Sequence, residues 1–159
     1  MFNGLFHIPQ PKNEPILSYA PGSKERAELQ AVLKSMIDNP VEVPIVIAGK
    51  DVKSDKLVEM RCPHNRSQLL GHYHQANALH ANLAIDAANA AKHQWSLMPW
   101  SDRATVMMKA AELLSGKYRQ ILNAATMLCM SKTCFQAEID SACELIDFWL
   151  SLIHISEPT

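Results

Sequence analysis

Leu83, Ala84, Ala87, Ala88, Ala91 and Trp95 recur at helical spacing, and that stripe limits what the chain can fold into. A helix face built mainly of alanine is useful where another element approaches closely. Asn77 is a suitable N-cap for this helix, and Pro99 breaks the run. Three more helices are predicted after it. Ser101 caps one carrying Val106, Met107, Ala110, Ala111, Leu113 and Leu114, with Gly116 where a left-handed C-terminal residue belongs. The next runs from about Tyr118 to Cys129. Thr133 and Gln136 are spaced as a capping box opening the last, which carries Ile139, Ala142, Cys143 and Ile146.

Upstream, Pro15 keeps the Lys12–Tyr19 segment extended, and Pro21-Gly22 marks a turn. Ser23 then caps a helix with Leu29, Leu33, Met36 and Ile37 on one side, stopped at Asn39-Pro40. Val43 to Ala48 is a β-branched run followed by the turn chemistry of Gly49-Lys50-Asp51. Leu57 to Cys62 and Leu69 to His74 are further strand candidates around the turn-like Pro63-His64-Asn65. Such short strands make no sandwich alone. The helices would sit well on a large sheet that these residues do not supply. The inventory therefore predicts a piece of a larger α/β domain, mostly α-helical with a few short N-terminal strands.

Fifteen basic residues nearly balance sixteen acidic ones, so no electrostatic footprint points to nucleic acid or an anionic membrane. No apolar run is long enough to span a bilayer. Residues 1–11 contain no Arg and only a brief Phe/Leu/Ile pattern, making neither a secretory signal nor a typical mitochondrial presequence. The expectation is an intracellular soluble chain. After Trp149 the charge pattern of a helix is lost. Residues 150–159 read like an in-frame translation of a sequencing-library adaptor and are expected to be a non-native tail.

Several side-chain groups invite a chemical role. His72, His74 and His80 suggest a metal, but no third ligand has a sensible spacing, and exposed positions on an edge strand are the expectation. Cys134 and Cys143 suggest a nucleophile; Lys132 and a helix N-terminus offer Cys134 some positive field, but no base can be named, and packing is favoured. Cys62 and Cys129 are likewise expected to be reduced packing thiols, with no CxxC pair among the four. Asp140, Glu144 and Asp147 fall at i, i+4 and i+7, which reads as one solvated acidic stripe. No glycine-rich phosphate loop is present.

Several segments, taken in order, resemble the aldehyde dehydrogenase superfamily and within it the 1-pyrroline-5-carboxylate dehydrogenase branch. They are Lys12-Asn13-Glu14-Pro15; Gly22-Ser23 with Glu25-Arg26; Trp95 followed by Asp102-Arg103-Ala104; Lys109 through Gly116; Lys132-Thr133 with Gln136-Ala137-Glu138-Ile139-Asp140; and Glu144-Leu145-Ile146-Asp147-Phe148. The resemblance implies that residues 12–149 are the incomplete N-terminal part of an NAD-binding α/β domain, preceded by an extension at 1–11. It also implies oxidation of L-glutamate γ-semialdehyde to L-glutamate with NAD, a homo-oligomeric parent and a mitochondrial matrix location. The family's nucleophilic cysteine, its base and its NAD contacts match nothing here, so no catalytic, cofactor or metal residue is assigned and the fragment is expected to be inactive. One residue carries over: Glu144, expected beside the aldehyde pocket, where its carboxylate could pair with the substrate's ammonium group. Ser131 departs from the family pattern, which has glycine before the Lys-Thr pair; a left-handed turn there would strain a serine. The alternatives to an enzyme fragment are a helical interaction module and a truncated, non-functional product.

Overall fold

Ser23 Oγ accepts the Arg26 amide at 3.3 Å and opens the first helix, α1 (Lys24–Asp38), as its position in the sequence predicts. The structure is a computed structural model that describes Gln10 and residues 12–155, with side chains described through Ser151. Except for Gln10, the expected N-terminal extension lies outside the described residues, as do the last four residues of the expected tail. Asn39 ends α1 by returning its side-chain and backbone N–H groups to Ser35 O at 2.8 and 3.0 Å.

Strand β1 (Val41–Val43) leads through Pro44 to a hairpin of β2 (Ile45–Ile47) and β3 (Lys50–Val52). The turn is Ala48-Gly49, with φ of 51° and 73°, so Lys50 and Asp51 belong to the strand rather than to the turn predicted for them. A two-residue loop with positive φ at both positions matches the natural twist of paired strands, which explains the shift.

β4 (Leu57–Cys62) and β5 (Asn65–His74) form the larger sheet with β1, in the order β1-β5-β4. β5 is antiparallel to β4 and parallel to β1. β5 also begins earlier than predicted, directly after the Pro63-His64 turn. Gly71 stands opposite Val41, and a Cβ on it would lie 2.0 Å from the Val41 carbonyl oxygen. Its φ of 152° also disfavours a side chain, so only glycine lets β1 close onto β5.

The rest is helical: α2 (Ala78–Leu97), α3 (Trp100–Ser115), α4 (Arg119–Met130), α5 (Cys134–Ala137), a π-helical stretch Glu138–Cys143, and α6 (Glu144–Ile155). Asn77 caps α2 in a reciprocal box with His80, and Thr133 caps α5 in one with Gln136. Two expected caps are corrected. α3 is entered from Pro99, whose fixed φ of -50° sets up the first turn, which leaves Ser101 inside the helix. Gly116 has φ -107° and ψ -100°, outside the left-handed region, because the chain needs only a short turn before α4 begins. α6 also continues without a break past Trp149 to Ile155.

α4 is the hub of the packing. Its Ala124 meets Tyr19 and Leu29, its Leu128 meets Cys62 and Leu70, and its Leu122 reaches the cluster of Ala111, Leu114 and Ile146. α2 is the opposite case. Its main contact is with β2, it buries no residue, and Leu79 and Leu97 are 64% and 71% exposed. No described helix is long and apolar enough to cross a membrane.

Candidate functional site

The chemistry of the chain is concentrated where the extended segment before α1 crosses α4 and the π-helical stretch. α4 presents Arg119, Asn123 and Thr126 at i, i+4 and i+7, and all three are buried. Opposite them is Glu138, the first residue of the π stretch and fully buried. Its Oε1 accepts from Arg119 Nη2 and from the Leu17 amide, the latter at 2.8 Å. Its Oε2 accepts from Tyr19 OH at 2.8 Å, Asn123 Nδ2 at 2.7 Å and Arg119 Nε at 3.3 Å. Arg119 extends the network, donating through Nη1 to Glu14 Oε1 and through Nη2 to Pro15 O at 2.7 Å.

Burial alone would raise the Glu138 carboxyl, but the guanidinium of Arg119, the Leu17 amide, Tyr19 and Asn123 outweigh it and hold it below the usual carboxylate range. The Tyr19 phenol moves the other way, pushed far up by burial and then by the neighbouring Glu138 carboxylate. The cluster is therefore a charged pair kept ionised by its donors. No sequence pattern assigned a role to Arg119 or Glu138. The available signal was the polar i, i+4, i+7 stripe on α4, which reads equally well as a solvated face.

The predicted site residue Glu144 is the first residue of α6 and is exposed. No described residue hydrogen-bonds or ion-pairs with its carboxylate. The π-turn changes the register of the expected acidic stripe, with Asp140 and Glu144 exposed and Asp147 half-buried. The Glu144 amide bonds Ile139 O, an i to i+5 contact that adds a residue to the turn. The extra residue rotates the start of α6 by about 100° relative to an uninterrupted α-helix. Asp140 pairs with Lys132 at 2.6 Å, while Asp147 Oδ1 accepts the Glu14 amide at 2.7 Å. Beside Asp147, a groove of about 300 Å³ is lined by Lys12, Asn13, Phe148, Leu150 and Ser151.

His74, His80, Cys62 and Cys143 are put to structural use, whereas Cys129 is exposed and does not take the packing role expected of it. β5 is the central strand, so His74 is not on an edge. It is buried, with Nε2 3.0 Å from Glu42 Oε1 and Nδ1 2.9 Å from Ser54 O. His80 is committed to its capping box, and no cluster of three or more metal-binding side chains occurs among the described residues. Cys143 lies beside the cluster with its thiol pushed up to about 11, first by burial and then by Glu138. Cys134 and Cys129 are also shifted up, mainly by burial, and Lys132 is engaged with Asp140. Such shifts suppress the thiolate, which suits packing rather than nucleophilic attack. Ser131 does adopt the left-handed conformation, with φ 57°, and its Oγ lies 2.9 Å from His64 Nδ1.

A profile of the aldehyde dehydrogenase family matches residues 50–157. The chain belongs to the aldehyde dehydrogenase family. Delta-1-pyrroline-5-carboxylate dehydrogenase of Agaricus bisporus is 48% identical over 145 residues, covering 91% of this chain and 27% of that protein. The enzyme named mitochondrial delta-1-pyrroline-5-carboxylate dehydrogenase in Danio rerio is 42% identical over 138 residues, covering 87% of this chain and 25% of the relative. Among solved structures, the Mycobacterium tuberculosis delta-pyrroline-5-carboxylate dehydrogenase bound with NAD and cobalamin superposes with a TM-score of 0.94 at 39% identity, covering 98% of this chain and 30% of that one. The fold is thus that of a mostly helical portion of an aldehyde dehydrogenase α/β architecture. The chain spans about a quarter of the length of the curated relatives it matches.

The described residues do not by themselves fit an NAD site. A dinucleotide cradle needs glycines in a strand-to-helix turn. Here Gly49 serves a hairpin, Gly71 lies under β1, and the β5-to-α2 connection of Gln75, Ala76 and Asn77 has none.

Proposed function

We propose that the chain is the N-terminal part of the NAD-binding domain of a delta-1-pyrroline-5-carboxylate dehydrogenase. The complete protein would oxidise L-glutamate γ-semialdehyde to L-glutamate, with NAD⁺ taking the hydride and water supplying the second carboxylate oxygen. The observation that carries this reading is the 48% identity to a protein of that name across 91% of this chain. Residues 12–149 are the native segment under this reading, and the chemistry belongs to residues not among those described. A homo-oligomer and a mitochondrial matrix location accompany the proposal, the latter supported by relatives whose names specify the mitochondrion.

This chain's own contribution is Glu144. It is exposed and without a side-chain partner among the described residues, which suits a carboxylate that meets an ammonium group arriving with substrate. The test is a chimera in which residues 12–149 replace the matching segment of the Agaricus bisporus relative. NAD-dependent oxidation of the semialdehyde is expected, with kcat/KM falling about tenfold or more on Glu144→Gln. A folded but inactive chimera would overturn the enzyme reading, and an unchanged kcat/KM would remove Glu144 from the site. Turnover by this chain alone would refute the placing of chemistry elsewhere.

A further inference from the structure

We propose that Glu138 and Asp147 are positioning residues that hold Glu144 at the substrate, by fixing both ends of the helical segment that carries it to one arginine-centred network. The inference rests on the reading of Glu144 as a substrate contact. Glu144 has no side-chain partner among the described residues, so its place is set by the residues that bracket it. Six positions before it, Glu138 is locked to Arg119, Leu17, Tyr19 and Asn123. Three positions after it, Asp147 Oδ1 accepts the Glu14 amide at 2.7 Å. The two ends meet, because the Glu14 carboxylate is itself paired with Arg119.

Between these anchors lies the π-turn, which determines the direction in which the first turn of α6 faces. A π-turn is an uncommon backbone state that persists only when its surroundings favour it, and such turns are frequent at functional sites. The fully buried Glu138 at its first position supplies that constraint. Glutamine at this position would replace an acceptor oxygen with an NH₂ group facing donors, so the anchor would be lost with little change in shape.

The experiment compares two substrates in the chimeric enzyme: the semialdehyde and an aldehyde of the same length lacking the α-amino group. Glu138→Gln is expected to raise KM for the amino aldehyde about tenfold, leaving kcat and the des-amino substrate nearly unchanged. Should that variant fail to fold, Asp147→Ala cuts the other anchor at a half-buried position and should give a smaller rise of the same kind. Asp147→Asn keeps an oxygen acceptor for the Glu14 amide and should restore the value. In a Glu144→Gln background, Glu138→Gln should add no further loss. If Glu144→Gln loses discrimination and neither anchor variant does, the positioning role is overturned alone. An equal loss for both aldehydes would overturn it as a purely structural effect. If Glu144→Gln itself keeps discrimination, the reading beneath it falls as well.

Discussion

α4 and α2 invert what their sequences suggest. α4 begins with an arginine and carries an asparagine and a threonine on the same side, and it buries all three. α2 carries leucines, an isoleucine, a tryptophan and a row of alanines, and it buries nothing. The difference shows that burial is decided by what an element meets, not by its own polarity. α4 meets a carboxylate and a set of backbone groups that together satisfy its charge. α2 meets little beyond β2 among the described residues, so its apolar face, expected from the alanine spacing to pack closely, is left uncovered.

The sharpest way to break this contrast is Glu138→Ala. It would strand Arg119 inside the fold with only Glu14 as counter-charge and is expected to cost about 3–5 kcal/mol, read by urea unfolding. A loss below about 1 kcal/mol, the usual scale of exposed pairs, would mean that the buried charge at α4 does not hold this region together. Gly71→Ala comes next, at about 1–3 kcal/mol from backbone strain, and should also expose the Val41–Val43 amides to hydrogen exchange. It separates sheet closure from the polar cluster, since β1 takes no part in that cluster.

The pH dependence sharpens the same point. Glu138 is held below the usual carboxylate range in the folded state, so it binds fewer protons there than when unfolded. Its contribution is full above the unfolded value of about 4.3 and is lost as pH falls through the lower folded value. Tyr19, shifted up, contributes fully below about pH 10 and loses that contribution as pH rises further. Tm should therefore decline on both sides, and Glu138→Gln should flatten the acid limb; an unchanged acid limb would remove Glu138 as its source. The smallest effect is expected in α2. Leu83→Ala should change the stability of this chain by no more than about 0.5 kcal/mol, since the side chain is about half exposed. In the chimeric full-length enzyme the same substitution should cost about 2 kcal/mol or more if the face is covered there. Equal small effects in both would show that α2 stays bare.

Local chemistry was readable from the sequence. Ser23, Asn77 and the Thr133–Gln136 box cap helices where their spacing says they should, because a cap is settled within four residues. Pro99 overrode Ser101 because a fixed φ outweighs a hydroxyl at a helix start. What the sequence left hidden depends on distant partners. His74 becomes central only once β1 pairs with β5, and Glu138 becomes a buried anchor only when Leu17 and Arg119 reach it. Glu144 came from family resemblance, and its exposed position at the start of α6 could not be read without the π-turn before it.

The same crossing has a consequence for synthesis. Leu17 and Glu138 are 121 residues apart, and Glu14 and Asp147 are 133 apart. At about 5–20 residues per second, a ribosome needs roughly 6–25 s after making Leu17 before its carboxylate partner exists. Throughout that interval Leu17 and Tyr19 lack the carboxylate they donate to, and for the last 19 residues the Arg119 guanidinium has only Glu14 as counter-charge. The arginine-centred lock is therefore among the last parts of the described fold to close on the nascent chain, whereas the β4–β5 hairpin can form early.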